Sequence, residues 1–128
     1  MNTPGMRIKR PPAWVGLLAI LSVWVWWASG DVFSSEDFDP VRWRQSVPEK
    51  LETTCWRGSM ARDIQRHIVR AGMPRADVTA ILGTPDSEQP EEFRYVLGMC
   101  SGMRFDYDDL HVRFNERGEV TKVLIIQH

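Results

Sequence analysis

Phe93-Arg94-Tyr95-Val96-Leu97, Leu110-His111-Val112-Arg113-Phe114 and Val120–Gln127 are the three segments whose pattern decides the fold. In the first, Phe93, Tyr95 and Leu97 alternate with Arg94 and Val96, the two-residue period of a strand with one strongly apolar face. The second reads as another strand. Asn115-Glu116-Arg117-Gly118 joins it to the third through a hairpin loop with glycine where a positive φ is needed.

Upstream of these strands the period changes. Between Ser59 and Arg70 the apolar positions Met60, Ile64 and Ile68 fall four apart, with Arg62, Asp63, Gln65 and Arg66 between them, which predicts an amphipathic helix ended by Gly72. Pro74 then opens a second helix over Arg75–Leu82, with Asp77 near the positive end of its dipole and Val78, Ile81 and Leu82 as its buried stripe. Gly83 and Pro85 supply the stop. Neither layer can bury its apolar side alone. The expected domain is therefore α+β: two antiparallel helices on one face of a three-stranded antiparallel sheet, in the order ααβββ.

The first thirty residues differ from the rest. Residues 13–29, AWVGLLAILSVWVWWAS, carry no charge and follow Arg7, Lys9 and Arg10. As a helix they would reach roughly 25 Å, slightly short of a hydrocarbon core, with Pro11, Pro12 and the tryptophans at the interfaces. The basic residues 1–12 are expected to stay cytoplasmic, so that residues 31–128 are delivered across the membrane. Trp24, Trp26 and Trp27 at the exit end favour a retained single-pass anchor in the inner membrane. Ala28-Ser29-Gly30 offers small residues to a signal peptidase, which leaves cleavage before Asp31 and a soluble periplasmic domain as the alternative. No cysteine lies near the end of the segment to carry a lipid.

Residues 30–55 mix charge, serine and proline without a sustained period and read as a linker or loosely docked strap. Phe33, Phe38 and Trp43 within it are candidates to dock on the domain or to lie against the membrane. The domain proper then spans residues 56–128, enough for one small core. At 43% apolar and 26% charged residues the chain falls in the globular range, which argues against wholesale disorder. Because residues 1–30 hold three basic groups and no acid, residues 31–128 carry 13 basic against 17 acidic side chains, a net charge of −4. Without a basic stripe such a domain is poorly suited to grip a nucleic acid.

Taken in order, Met60-Ala61-Arg62-Asp63-Ile64, Gly72-Met73-Pro74-Arg75-Ala76-Asp77-Val78, Ile81-Leu82-Gly83-Thr84-Pro85-Asp86, Tyr95-Val96-Leu97-Gly98, Leu110-His111-Val112-Arg113-Phe114 and Gly118-Glu119-Val120 resemble the SmpA/OmlA (BamE-like) domain family. The resemblance covers residues 56–126 and implies an ααβββ domain that contacts other envelope proteins or lipid, with neither cofactor nor catalysis. Gly72, Gly83, Pro85 and Gly118 are structural positions on this reading. Family members serving barrel assembly carry a lipidated cysteine, where this chain has a Trp-rich hydrophobic segment.

No catalytic pattern accompanies these elements. G-x-S-x-G, H-E-x-x-H and glycine-rich phosphate loops are absent from the sequence. His67, His111 and His128 lack metal-ligand spacing, and His67, near the face of Ile64 and Ile68, is expected at the edge of the core. Asp106, Asp108 and Asp109 crowd the loop before the second strand. Three carboxylates have the chemistry to hold a hard cation, but a solvated acidic loop, used for partner recognition if at all, is the plainer expectation. Cys55 and Cys100 allow one bridge, or two unrelated small hydrophobes. The expectation is a non-catalytic envelope module that binds another envelope protein through a sheet edge or exposed aromatics such as Trp56 and Phe93. A thiol-redox protein using Cys55 and Cys100 and a purely structural envelope protein are the alternatives. The mass of the protein recovered from its native membranes tests the topology: the full chain is expected, whereas a chain beginning at Asp31 would mean cleavage.

Overall fold

The computed structural model describes residues 32–34, 36–45, 54–101 and 106–128. The hydrophobic segment 13–29 and its basic flank lie outside the described residues. Among those described, no helix is long and apolar enough to cross a membrane. The elements run α1 (Pro40–Arg44), α2 (Gly58–Asp63) continued by a π-helical turn (Ile64–Ile68), α3 (Arg75–Leu82), β1 (Ser87–Gln89), β2 (Glu92–Gly98), β3 (Asp108–Phe114) and β4 (Val120–Ile126).

The fold is α+β, and its antiparallel sheet has four strands in the order β1-β2-β3-β4 rather than the three expected. The added strand, Ser87-Glu88-Gln89, is polar and too short to show a period. It exists because Ser87, Glu88 and Gln89 pair with Arg94, Phe93 and Glu92 across a tight turn. The predicted alternation holds in β2, where Phe93, Tyr95 and Leu97 are buried, and it aligns with β3, which pairs Phe93 with Val112 and Tyr95 with Leu110. Gly118, at φ +73°, closes the β3–β4 loop, and the Asn115 side chain accepts hydrogen bonds from the amides of Arg117 and Glu119.

α3 has the bounds read from the sequence. Gly83, at φ +81°, caps it, with its amide on the Thr79 carbonyl, and Val78 and Leu82 face the core. The first helix departs from expectation. It leaves α geometry after Asp63, and the Val69 amide reaches back five residues to the Ile64 carbonyl at 2.9 Å. That wider turn lets Ile64 and Val69, five apart, both enter the core, as α spacing would not. The helix ends at Ile68, so Gly72 does not stop it. Gly72 instead sits in the following turn at φ +86°, donating to the Val120 carbonyl.

The larger correction concerns the strap. Phe33 is 1% exposed and Trp43 is fully buried, so the stretch read as a linker or loosely docked strap is firmly docked and completes the core. Asp39 and Pro40 start α1 as N-cap and first-turn residue, with Asp39 Oδ1 accepting from the amides of Val41 and Arg42. One turn of helix places Trp43 beneath α3, where its indole N–H donates to the Leu82 carbonyl at 2.9 Å. Upstream, the Phe33 carbonyl accepts from the Arg62 amide, the Glu36 amide donates to Ser59, and the Phe38 amide donates to Asp63 Oδ2 at 2.8 Å. The Phe38 bond, more than the contact with His67, holds the Asp63 carboxyl below its ordinary range. This contribution to stability is complete above the unfolded pKa of about 4 and is lost as pH falls through the lower folded value.

Because Trp43 fills a closed site, Trp43→Ala should cost about 3–5 kcal/mol in a denaturant titration of the full chain. Val41→Ala, on the exposed side of the same helix, should stay within about 0.5 kcal/mol of the parent.

Candidate functional site

Two surfaces collect the residues singled out from the sequence: the corner where β2 leaves the sheet, and the sheet face turned away from α2 and α3. At the corner, Cys55 and Cys100 form a disulfide bridge. Gly58, in the first turn of α2, abuts it so closely that a Cβ there would lie 2.2 Å from both sulfur atoms. Gly98, at φ +109°, leaves the Thr54 carbonyl no room for a side chain either. Absence of side chains at these two positions is what lets the strap-to-helix connection cross over the end of β2.

Asp108 belongs to this corner and is fully buried. Its carboxylate accepts from the amides of Cys100 (2.9 Å), Ser101 (2.6 Å) and His128 (3.2 Å) and from the Ser101 hydroxyl (2.5 Å). Four donors satisfy the group, so it organises the loop and is neither a solvated acid nor a free metal ligand. Asp106 is exposed and caps the neighbouring Tyr107 amide. Strand alternation turns Asp109 to the opposite face from Asp108, so the three carboxylates never converge. Among the described residues no group of three or more His, Cys, Asp or Glu side chains is placed to hold a metal ion.

The two aromatics expected on the surface are not free there. Phe93 is 2% exposed and packs on Phe114 and Tyr95, with the Arg75 guanidinium 4.5 Å above its ring. Trp56 is partly buried, donates its indole N–H to the Arg42 carbonyl at 3.1 Å, and lies under the Arg42 guanidinium. It helps fasten the strap. His67, expected at the edge of the core, stands in solvent with 68% of its side chain exposed, on Asp63 Oδ1 at 2.6 Å, because the π-helical turn carries it outward.

Sequence reasoning passed over Arg57, which is only 9% exposed. Its Nε donates to the Trp43 carbonyl at 3.1 Å, its Nη1 reaches Asp86 at 3.1 Å and the Val96 carbonyl at 3.3 Å, and the guanidinium lies 4.8 Å from the centre of the Trp43 ring. Burial pulls its pKa below the ordinary guanidinium value, and Asp86 works against that shift. Nothing in the local sequence distinguishes this arginine from its exposed neighbours.

The residues of the sheet face turned away from α2 and α3 follow from the register. Val96 and Ile126 flank Asp109 across the strands, and Arg94 and Leu124 flank His111. Val96, Leu124 and Ile126 are half-buried, whereas Asp109 is 4% exposed and its Oδ1 has no hydrogen-bond partner among the described residues. Its Oδ2 lies 3.5 Å from His128 Nε2, 3.8 Å from Arg94 and 3.9 Å from His111 Nε2. Desolvation outweighs the opposing pull of Arg94 and the two histidines and raises the Asp109 pKa. His111 Nδ1 comes within 2.8 Å of Glu92 Oε1, yet neither ring nitrogen is aligned for a hydrogen bond. Burial also disfavours the charge on Glu92, but the contacts of His111 and Arg113 together lower its pKa. The result is a patch of apolar side chains around a desolvated, incompletely paired carboxylate.

Removing the bridge with Cys55→Ser and Cys100→Ser should cost about 4 kcal/mol by loop entropy, measured by denaturant unfolding, and Gly58→Ala should destabilise in the same direction. A carboxyl with a raised native pKa binds protons more tightly when folded, so Asp109 lowers stability at neutral pH and ceases to do so below about pH 4. Asp109→Asn should therefore raise the denaturant midpoint at pH 7, and the gain should shrink towards pH 3. Comparisons with protein-family models, curated proteins and solved structures found no match to this chain.

Proposed function

We propose that this protein is a non-catalytic, membrane-anchored module of the cell envelope that binds another envelope protein through the sheet face turned away from α2 and α3. The carrying observation is Asp109: a carboxylate 4% exposed whose Oδ1 has no hydrogen-bond partner among the described residues, set among Val96, Leu124 and Ile126. A buried acceptor left unpaired costs about 1–3 kcal/mol, a cost that a partner opening this face and supplying a donor would recover as binding energy. The charge-free segment 13–29 behind a basic flank supports an anchor, with the folded domain on the far side of the membrane. The resemblance to the SmpA/OmlA family supports the same reading, with a hydrophobic segment in place of a lipid.

A photo-crosslinking residue at Leu124 in the native membrane should give a discrete adduct with one protein, and Asp109→Lys should abolish it. A Leu124 probe that yields no adduct while the protein is folded and abundant would overturn the assignment of this face.

A further inference from the structure

We propose that the strap, residues 32–45, lies on the phospholipid headgroup layer at the point where the chain leaves the membrane; the inference rests on the anchor reading above. Only Gly30, Asp31 and Val32 separate Ser29, the last residue of the apolar segment, from Phe33. Four Cα steps span at most about 14 Å. The headgroup zone on one side of a bilayer takes up about 5–7 Å of that distance.

Phe33 is not slack chain. It is 1% exposed, and its carbonyl accepts the Arg62 amide at 2.7 Å. The strap is then fastened again at Glu36, Phe38 and Trp43. A tether this short, ending in a side chain buried in the core, brings the strap side of the domain to the membrane surface instead of letting the domain wander on a flexible linker.

The exposed side chains of the strap agree with that position. Val32, 47% exposed, and Val41, 62% exposed, are the exposed large hydrophobic residues among those described, and both lie on the strap. On α1 the buried Trp43 faces the core, and Val41, two positions earlier, points away from it. A single exposed valine needs no explanation, but two on the segment that the chain length forces towards lipid fit an interfacial surface.

The test uses the full chain reconstituted in phosphatidylcholine vesicles, with a fluorophore attached at Val32→Cys, Val41→Cys or Arg117→Cys; the native cysteines are bridged and do not react. Nitroxide-headgroup lipid should quench the labels at positions 32 and 41 several-fold more than the label at 117. Quenching at 32 alone is what a bare tether would give and overturns the proposal. Shielding of position 41 from aqueous iodide without lipid quenching, appearing only at high protein-to-lipid ratio, would assign the surface to a second copy and overturn it equally. Release of the unlabelled chain from vesicles by alkaline carbonate would defeat the anchor reading itself, an outcome distinct from both.

Discussion

A buried arginine ties this domain together. Arg57 reaches three elements that are remote in sequence: the Trp43 carbonyl in α1, Asp86 ahead of β1, and the Val96 carbonyl in β2. Its own amide donates to the Leu97 carbonyl. Burying a guanidinium is costly unless its donors find acceptors, and here a carboxylate and two carbonyls take up three of the five while the Trp43 ring covers its face. The strap can dock only with Trp43 in place, and Trp43 is held in place by the donors of Arg57 and by the Leu82 carbonyl. Strap, helices and sheet thus share one core, and the segment ahead of α2 is a wall of it.

Asp108 and Asp109 show how strand geometry assigns chemistry. Adjacent in sequence, they point to opposite faces of β3. Asp108 falls among amides left open by the loop at the disulfide corner and becomes fully satisfied. Asp109 falls on the sheet face turned away from α2 and α3, where its neighbours sit at 3.5 Å or farther and one of its oxygens has no hydrogen-bond partner among the described residues. The first stabilises the isolated domain and the second detracts from it.

How much of this was legible beforehand depends on the range of the interactions involved. β2, β3, β4 and α3 were visible because one period, two residues or about four, ran long enough to mark a buried face, and Gly83 and Gly118 marked their ends. β1 was not, since three polar residues carry no pattern and pair only because β2 folds back on them. The Asp39-Pro40 pair was a local signal for α1 that could have been used. Nothing local showed that Trp43 would be buried, because a lone aromatic in a polar stretch reads the same whether it docks or not.

Periodicity and composition along continuous stretches were enough for the layers of the domain and the antiparallel pairing of its last strands. Tertiary structure alone decided that Arg57 is the hub, that Phe93 and Trp56 are enclosed, that Asp108 and Asp109 have opposite fates, and that the strap belongs to the core. Each of those depends on which groups meet across the fold, and burial and hydrogen bonding are set by neighbours distant in the chain, which no local pattern encodes.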